Sequence, residues 1–111
     1  DIAVVGVGNP QTSSTYRLLQ SFSEDELDEI REKKIIGDIL TSFFDSDGNV
    51  HQTHITDRML GQNLEDLMSI KEVVIVASGM DKFLSLKGLL NLKFVNHLII
   101  DDLNANQLLL D

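Results

Sequence analysis

Three apolar, β-branched runs limit most strongly what this chain can fold into. They lie at residues 2–7 (Ile2, Val4, Val5 and Val7 among them), 73–77 (Val73, Val74, Ile75, Val76) and 94–100 (Val95, Leu98, Ile99, Ile100). None shows the strict apolar–polar alternation of a half-buried strand, so each reads as a strand covered on both faces. Small or polar residues stop each run: Gly8-Asn9-Pro10, then Ser78-Gly79, then Asp101-Asp102. Helical spacing follows the second and third stops. One helix starts at Asp81 with Phe83, Leu86 and Leu90 turned inward, and a last helix carries Ala105, Leu108 and Leu109. Buried strands alternating with helices make βαβ units, so the expected fold is α/β: a mostly parallel sheet with helices on both faces.

The stretch between the first two strands reads differently. A polar segment leads into a short helix with Tyr16, Leu18 and Leu19. Ser23-Glu24-Asp25-Glu26 is a capping box, opening a helix with Leu27 and Ile30 on one face. Ile35-Ile36-Gly37-Asp38-Ile39-Leu40 and Ser42-Phe43-Phe44 read as extended chain. Asp45-Ser46-Asp47-Gly48 is a hairpin signal with Asn49-Val50-His51 returning, a β-hairpin insertion into the α/β frame. Asn63, with Asp66 three residues on, caps a short helix through Met68.

Composition narrows the function. A chain of 111 residues holds one small domain. Aromatics are 5% with no Trp, so Leu, Ile and Val must build the core. The formal net charge of −9 opposes direct contact with the phosphate backbone of DNA. No Cys is present, which removes disulfides, thiolate nucleophiles and Cys zinc sites and suits a cytoplasmic protein. No apolar run reaches membrane-spanning length, and the start lacks a secretory signal pattern, so no membrane partner is expected. Asp1 leads straight into a strand, which reads as the edge of a fragment of a larger domain.

In open α/β sheets, ligands gather beyond the carboxyl ends of the strands. The turn Ser78-Gly79-Met80-Asp81-Lys82 is the most informative place there. Backbone N–H groups, a helix start and the Lys82 charge converge on it, which suits an anion; a plain strand-to-helix turn is the simpler alternative. Asp38, in an apolar extended segment, either faces solvent at a strand end or accepts from a donor-rich partner such as sugar hydroxyls. Asp45-x-Asp47-x-Asn49 opens like a calcium loop. Val50 and Thr56 occupy that loop's glycine and glutamate places, so a turn is the reading and no metal is expected. His51 and His54 have no third ligand nearby, and His97 reads as a hydrogen-bonded sheet histidine. No catalytic triad order, nucleophile elbow or dinucleotide fingerprint is legible, so no catalytic residue and no cofactor is assigned.

The pieces in order resemble the C-terminal effector-binding domain of the SorC family of bacterial transcriptional regulators, also described as deoxyribonucleoside-regulator-like and including the central glycolytic gene regulator. The resemblance rests on Gly37-Asp38-Ile39 through Phe43-Phe44-Asp45-x-Asp47-Gly48, and on Arg58, Gly61 and Leu64-Glu65-x-Leu67. It continues in Val74-Ile75-Val76-Ala77-Ser78-Gly79-x-x-Lys82 and Val95-Asn96-x-Leu98-Ile99-Ile100-Asp101-Asp102. It implies a Rossmann-like fold of the ribose-5-phosphate isomerase and glucosamine-6-phosphate deaminase group, used for sensing. It implies a sugar or phosphorylated sugar effector contacted by Asp38 and Lys82; Ser78 replaces the more usual glycine, and with Gly79 it completes the expected effector site through the backbone donors of the turn. It further implies a homo-oligomer that reaches operator DNA through an N-terminal helix-turn-helix outside this chain, residues 1–111 being the C-terminal part of the effector domain. The rival readings are a sugar-phosphate isomerase or deaminase of the same fold, with Asp38 and His51 or His54 as its acid–base groups, and an oligomerisation fragment with no ligand.

Overall fold

A computed structural model describes residues 1–12 and 22–110. The helix expected around Tyr16, Leu18 and Leu19 lies outside the described residues. The elements are β1 (Ile2–Val5), α1 (Glu24–Glu32), β2 (Ile35–Ile39), β3 (Ser42–Asp45), β4 (Val50–His51), α2 (His54–Asp57) and α3 (Leu64–Met68). They continue with β5 (Glu72–Ala77), a 3₁₀ turn (Met80–Lys82), α4 (Phe83–Asn91), β6 (His97–Ile100) and α5 (Asp102–Leu110).

The apolar runs do form one parallel sheet, in the order β1-β5-β6. Val5 pairs with Ile75, and Ile75 with Leu98. The third strand is shorter than residues 94–100. Phe94 and Val95 pack against the core from outside the sheet, and Asn96 hooks the chain to Val73 through its side-chain oxygen, 2.7 Å from the Val73 nitrogen. The hairpin segment forms a second, antiparallel sheet, β2-β3-β4. Its first connection is a tight turn in which Leu40 takes φ 54°, a positive value that gives no sequence signal in leucine.

The two sheets share a core. Leu86 and Leu89 of α4 pack in one cluster with Val73 and Ile75 of the parallel sheet and with Ile39 and Phe44 of the antiparallel one. On the opposite side of the antiparallel sheet, Ile35 and Phe43 meet Ile30 of α1 and Ile55 of α2. Consecutive strand residues point to opposite faces, so Phe43 and Phe44 serve the two clusters separately. A register shift between Ile35 and Gly37 explains how Ile35 joins one cluster and Ile39 the other. The inward face of α4 is Ser85, Leu86, Gly88 and Leu89 rather than the expected Phe83-Leu86-Leu90 stripe; Leu90 is exposed. The 3₁₀ turn before α4 rotates that face relative to a helix begun at Asp81.

The capping predictions at Ser23 and Asn63 hold, each with reciprocal side-chain and backbone bonds. Thr53 caps α2 in the same way. The expectation of strands covered on both faces is met for one face only among the described residues. Val73 and Ile75 are fully buried, whereas Ile2 is 72% exposed, Val4 65% and Ile99 59%. Runs without alternation record that both faces are apolar, but the partner for the second face is not supplied by the described residues. In α5 the buried residue is Asn104, and Leu109 is exposed.

Candidate effector site at the carboxyl edge of the sheet

The chain leaves β1 and at Gly8 pairs with Asp38 of β2. Gly8 and Asp38 exchange both backbone hydrogen bonds at 2.9 Å, which joins the two sheets at the carboxyl edge. The Asp38 carboxylate lies over Gly8, so close that a Cβ there would sit 2.8 Å from Asp38 Oδ1. A side chain at this position would have to displace the Asp38 carboxylate. Asp38 is half-buried, one residue from Val7.

Val7 lines an open cleft of about 460 Å³ at the same edge. Its polar lining is Ser78, Lys82 and Asp101, set against Val76, Ile99 and Ile100. Two of the four residues singled out by sequence, Ser78 and Lys82, thus share one cleft. Asp38 is not part of its lining; it pairs with Gly8, the residue after Val7. Gly79 is not part of the lining either. The expectation that the Gly79 N–H points at a ligand needs correction, because that N–H donates to Asp101 Oδ2 at 3.2 Å. The Asp101 carboxylate, just past the end of the neighbouring strand, engages this donor. Gly79 instead sets the backbone path, with φ 102° and ψ 141°.

Sequence reasoning placed Asp101 at this edge only as the stop of the third strand, and it missed Asn104. Asn104 Nδ2 donates to the Gly79 carbonyl at 2.8 Å and to Asp101 Oδ1 at 2.7 Å. The bonds from the Asn104 amide and the Gly79 N–H hold the Asp101 carboxyl below its ordinary value. An asparagine at the third place of a short apolar helix gives no sign in sequence of pointing inward.

The remaining candidates lie elsewhere. His51 Nε2 sits 2.8 Å from Asp45 Oδ2 in the hairpin. Asp45 also accepts from the backbone N–H of Asp47 and of Asn49, each at 3.0 Å. Burial acts to raise the Asp45 carboxyl, but the bonds from His51 and Asn49 outweigh it, and the group is lowered. The Asp45-x-Asp47-x-Asn49 segment is thus a side-chain-stapled turn. His97 pairs with Glu72 at 3.0 Å on the exposed sheet face. Among the described residues, no group of three or more His, Cys, Asp or Glu is placed to hold a metal. A second hollow of about 330 Å³, between the antiparallel sheet and α3, is lined by Ser42, Gln52, Asn63 and Glu65 without a cation. Lys82 makes the carboxyl-edge cleft the better match for an anionic or mixed ligand.

Residues 1–110 match the Sugar-bind family model, described as a sugar-binding domain. The chain belongs to this family, the sugar-binding domain of SorC-type transcriptional regulators. It is 36% identical over 111 residues to the deoxyribonucleoside regulator of Bacillus subtilis (strain 168), spanning 100% of this chain and 35% of that protein. A transcriptional regulator from Streptococcus pneumoniae TIGR4 superposes with a TM-score of 0.85 at 35% identity, over 98% of this chain and 42% of that one. The full-length sorbitol operon regulator SorC from Klebsiella pneumoniae gives 0.86 at 25% identity, over 98% and 35% respectively. The chain thus spans about a third of the length of the curated relatives it matches. No helix of the described residues is long and apolar enough to cross a membrane.

Proposed function

We propose that this chain is the sugar-sensing part of a cytoplasmic transcriptional regulator, taking a sugar or phosphorylated sugar at the carboxyl edge of the parallel sheet. The observation that carries this reading is the cleft that brings Ser78, Lys82 and Asp101 together in a chain of a sugar-binding family. Lys82 contributes positive charge for a phosphate, the Ser78 hydroxyl can donate or accept, and Asp38 accepts from sugar hydroxyls beside Val7. Gly79 shapes the turn between Ser78 and Lys82. Residues 1–111 serve as part of the effector domain, and effector binding is coupled to homo-oligomer and operator contacts made through a separate helix-turn-helix. Two facts favour that division: the net charge of −9, and relatives about three times as long.

The function is sensing and not turnover. An isomerase or deaminase needs a base and an acid partner within reach of one substrate proton. Asp38 pairs across to Phe43, and Phe43 across to His51. Two strand spacings, roughly 10 Å, therefore separate Asp38 from His51. The imidazole is already engaged by Asp45.

Calorimetry on the full-length protein with ribose and ribose 5-phosphate tests the assignment. A charge-assisted hydrogen bond contributes about 1.5–3 kcal/mol, so its loss weakens binding roughly tenfold to a hundredfold. Lys82→Ala is expected to weaken the phosphorylated sugar more than the neutral one, and Asp38→Ala to weaken both alike. Two silent substitutions in a folded protein would overturn the assignment. So would robust isomerase or deaminase activity abolished by Asp38→Asn.

A further inference from the structure

Two side chains from the β6–α5 junction grip Gly79 on both sides, one on each of the peptide units that flank its Cα. Asp101 accepts from its N–H, and Asn104 donates to its carbonyl while also bracing Asp101. Asn104 is 0% exposed. Both groups facing its amide nitrogen are acceptors, which fixes the amide's orientation, and its Oδ1 is left buried with no hydrogen-bond partner among the described residues. A leucine of similar size would fill this space without an unsatisfied oxygen, so packing alone does not account for the asparagine. What the amide holds is a turn that needs holding. Gly79 has φ 102°, outside the range of ordinary residues, and the 3₁₀ turn after it has no side-chain cap.

We propose that Asn104 is a positioning residue for the cleft: together with Asp101 it locks the Gly79 turn that sets Ser78 and Lys82 at the cleft wall. The proposal rests on the reading of that cleft as the sugar site. Asn104 is fully buried and so cannot touch a ligand, and any effect it has on binding must pass through the turn.

Amide hydrogen exchange of the full-length protein, without ligand, reads the lock directly. In Asn104→Leu and in Asp101→Ala, the Gly79 amide is expected to exchange about tenfold faster or more while Ile75 in the core keeps its protection. Calorimetry with ribose 5-phosphate should then show affinity reduced roughly tenfold in Asn104→Leu. If that variant does not fold, Asp101→Ala carries the exchange test alone. Unchanged exchange at Gly79 overturns the proposal, as does a rise shared equally by Ile75, or unchanged affinity in a variant whose Gly79 amide has been released. If the wild-type protein takes up neither ribose nor ribose 5-phosphate, the reading of the cleft as a ribose site fails. The exchange data then decide separately whether Asn104 holds the turn: a rise confined to Gly79 supports it, and no rise overturns it.

Discussion

Gly79 shows how much one residue settles at this site. Its φ of 102° is a conformation that costs other residues about 1–3 kcal/mol, and a Cβ there would sit 2.7 Å from Asp81 Oδ1. Gly79→Ala is expected to lower the unfolding free energy by an amount in that range, seen as a lower urea midpoint with the m-value unchanged. An unshifted midpoint would mean the turn relaxes freely. The carboxylates add a dependence on acidity. Asp45 and Asp101 both have folded-state values lowered from 3.8, the first by bonds that outweigh its burial and the second by Asn104 and Gly79. A lowered folded value gives stability that is fully present above the unfolded value and lost as pH falls through the folded one. Urea midpoints should therefore hold from neutrality down to about pH 4 and drop below it. Asp45→Asn should lower the midpoint at pH 7 and make the acid drop shallower; an equal drop in both proteins would count against this account.

Among the elements, α4 is the one that fastens the two sheets together. Ser85 donates to the Ile36 carbonyl of β2, and Asn91 donates to the Ser46 carbonyl at 2.9 Å in the hairpin. Gly88 faces the Asp45 carbonyl and the Phe44 ring so closely that a Cβ would collide with backbone. Gly88→Ala is expected to destabilise the protein by about 1–3 kcal/mol, because the helix must back away from β3 and open the Leu86-Leu89 cluster. That would reverse the usual gain from replacing glycine by alanine inside a helix. Thermal or urea denaturation decides the sign. Elsewhere α1 and α2 are held together by the Arg58–Glu26 ion pair, in which Glu26 also completes the Ser23 capping box.

At the scale of the whole molecule, the parallel sheet has one covered face and one on which Ile2, Val4, Val76 and Ile99 are exposed among the described residues. An exposed apolar surface of this kind, here interrupted by the Glu72–His97 pair, marks an interface or an association hazard. Residues 1–111 prepared alone are expected to associate at micromolar concentrations, and Ile99→Lys should reduce the apparent mass by light scattering. A monodisperse monomer of the unsubstituted chain would show that the face is tolerated in water.

The sequence by itself determined the three parallel strands, the hairpin at Asp45-Gly48 and the caps at Ser23 and Asn63, because those signals are local: β-branched runs, turn residues and capping spacings act within a few positions. It also singled out Ser78 and Lys82, since a strand-to-helix turn at the carboxyl edge is readable from order alone. Tertiary structure alone decided that Asp38 lies over Gly8, that the Gly79 N–H is taken by Asp101, and that Asn104 turns inward while Leu109 stays out. Each of those depends on which distant backbone arrives alongside. The Leu40 turn, the register shift after Ile35 and the one-sided burial of the sheet were hidden for the same reason: spacing along a chain reports which side chains are apolar, not which surface comes to meet them.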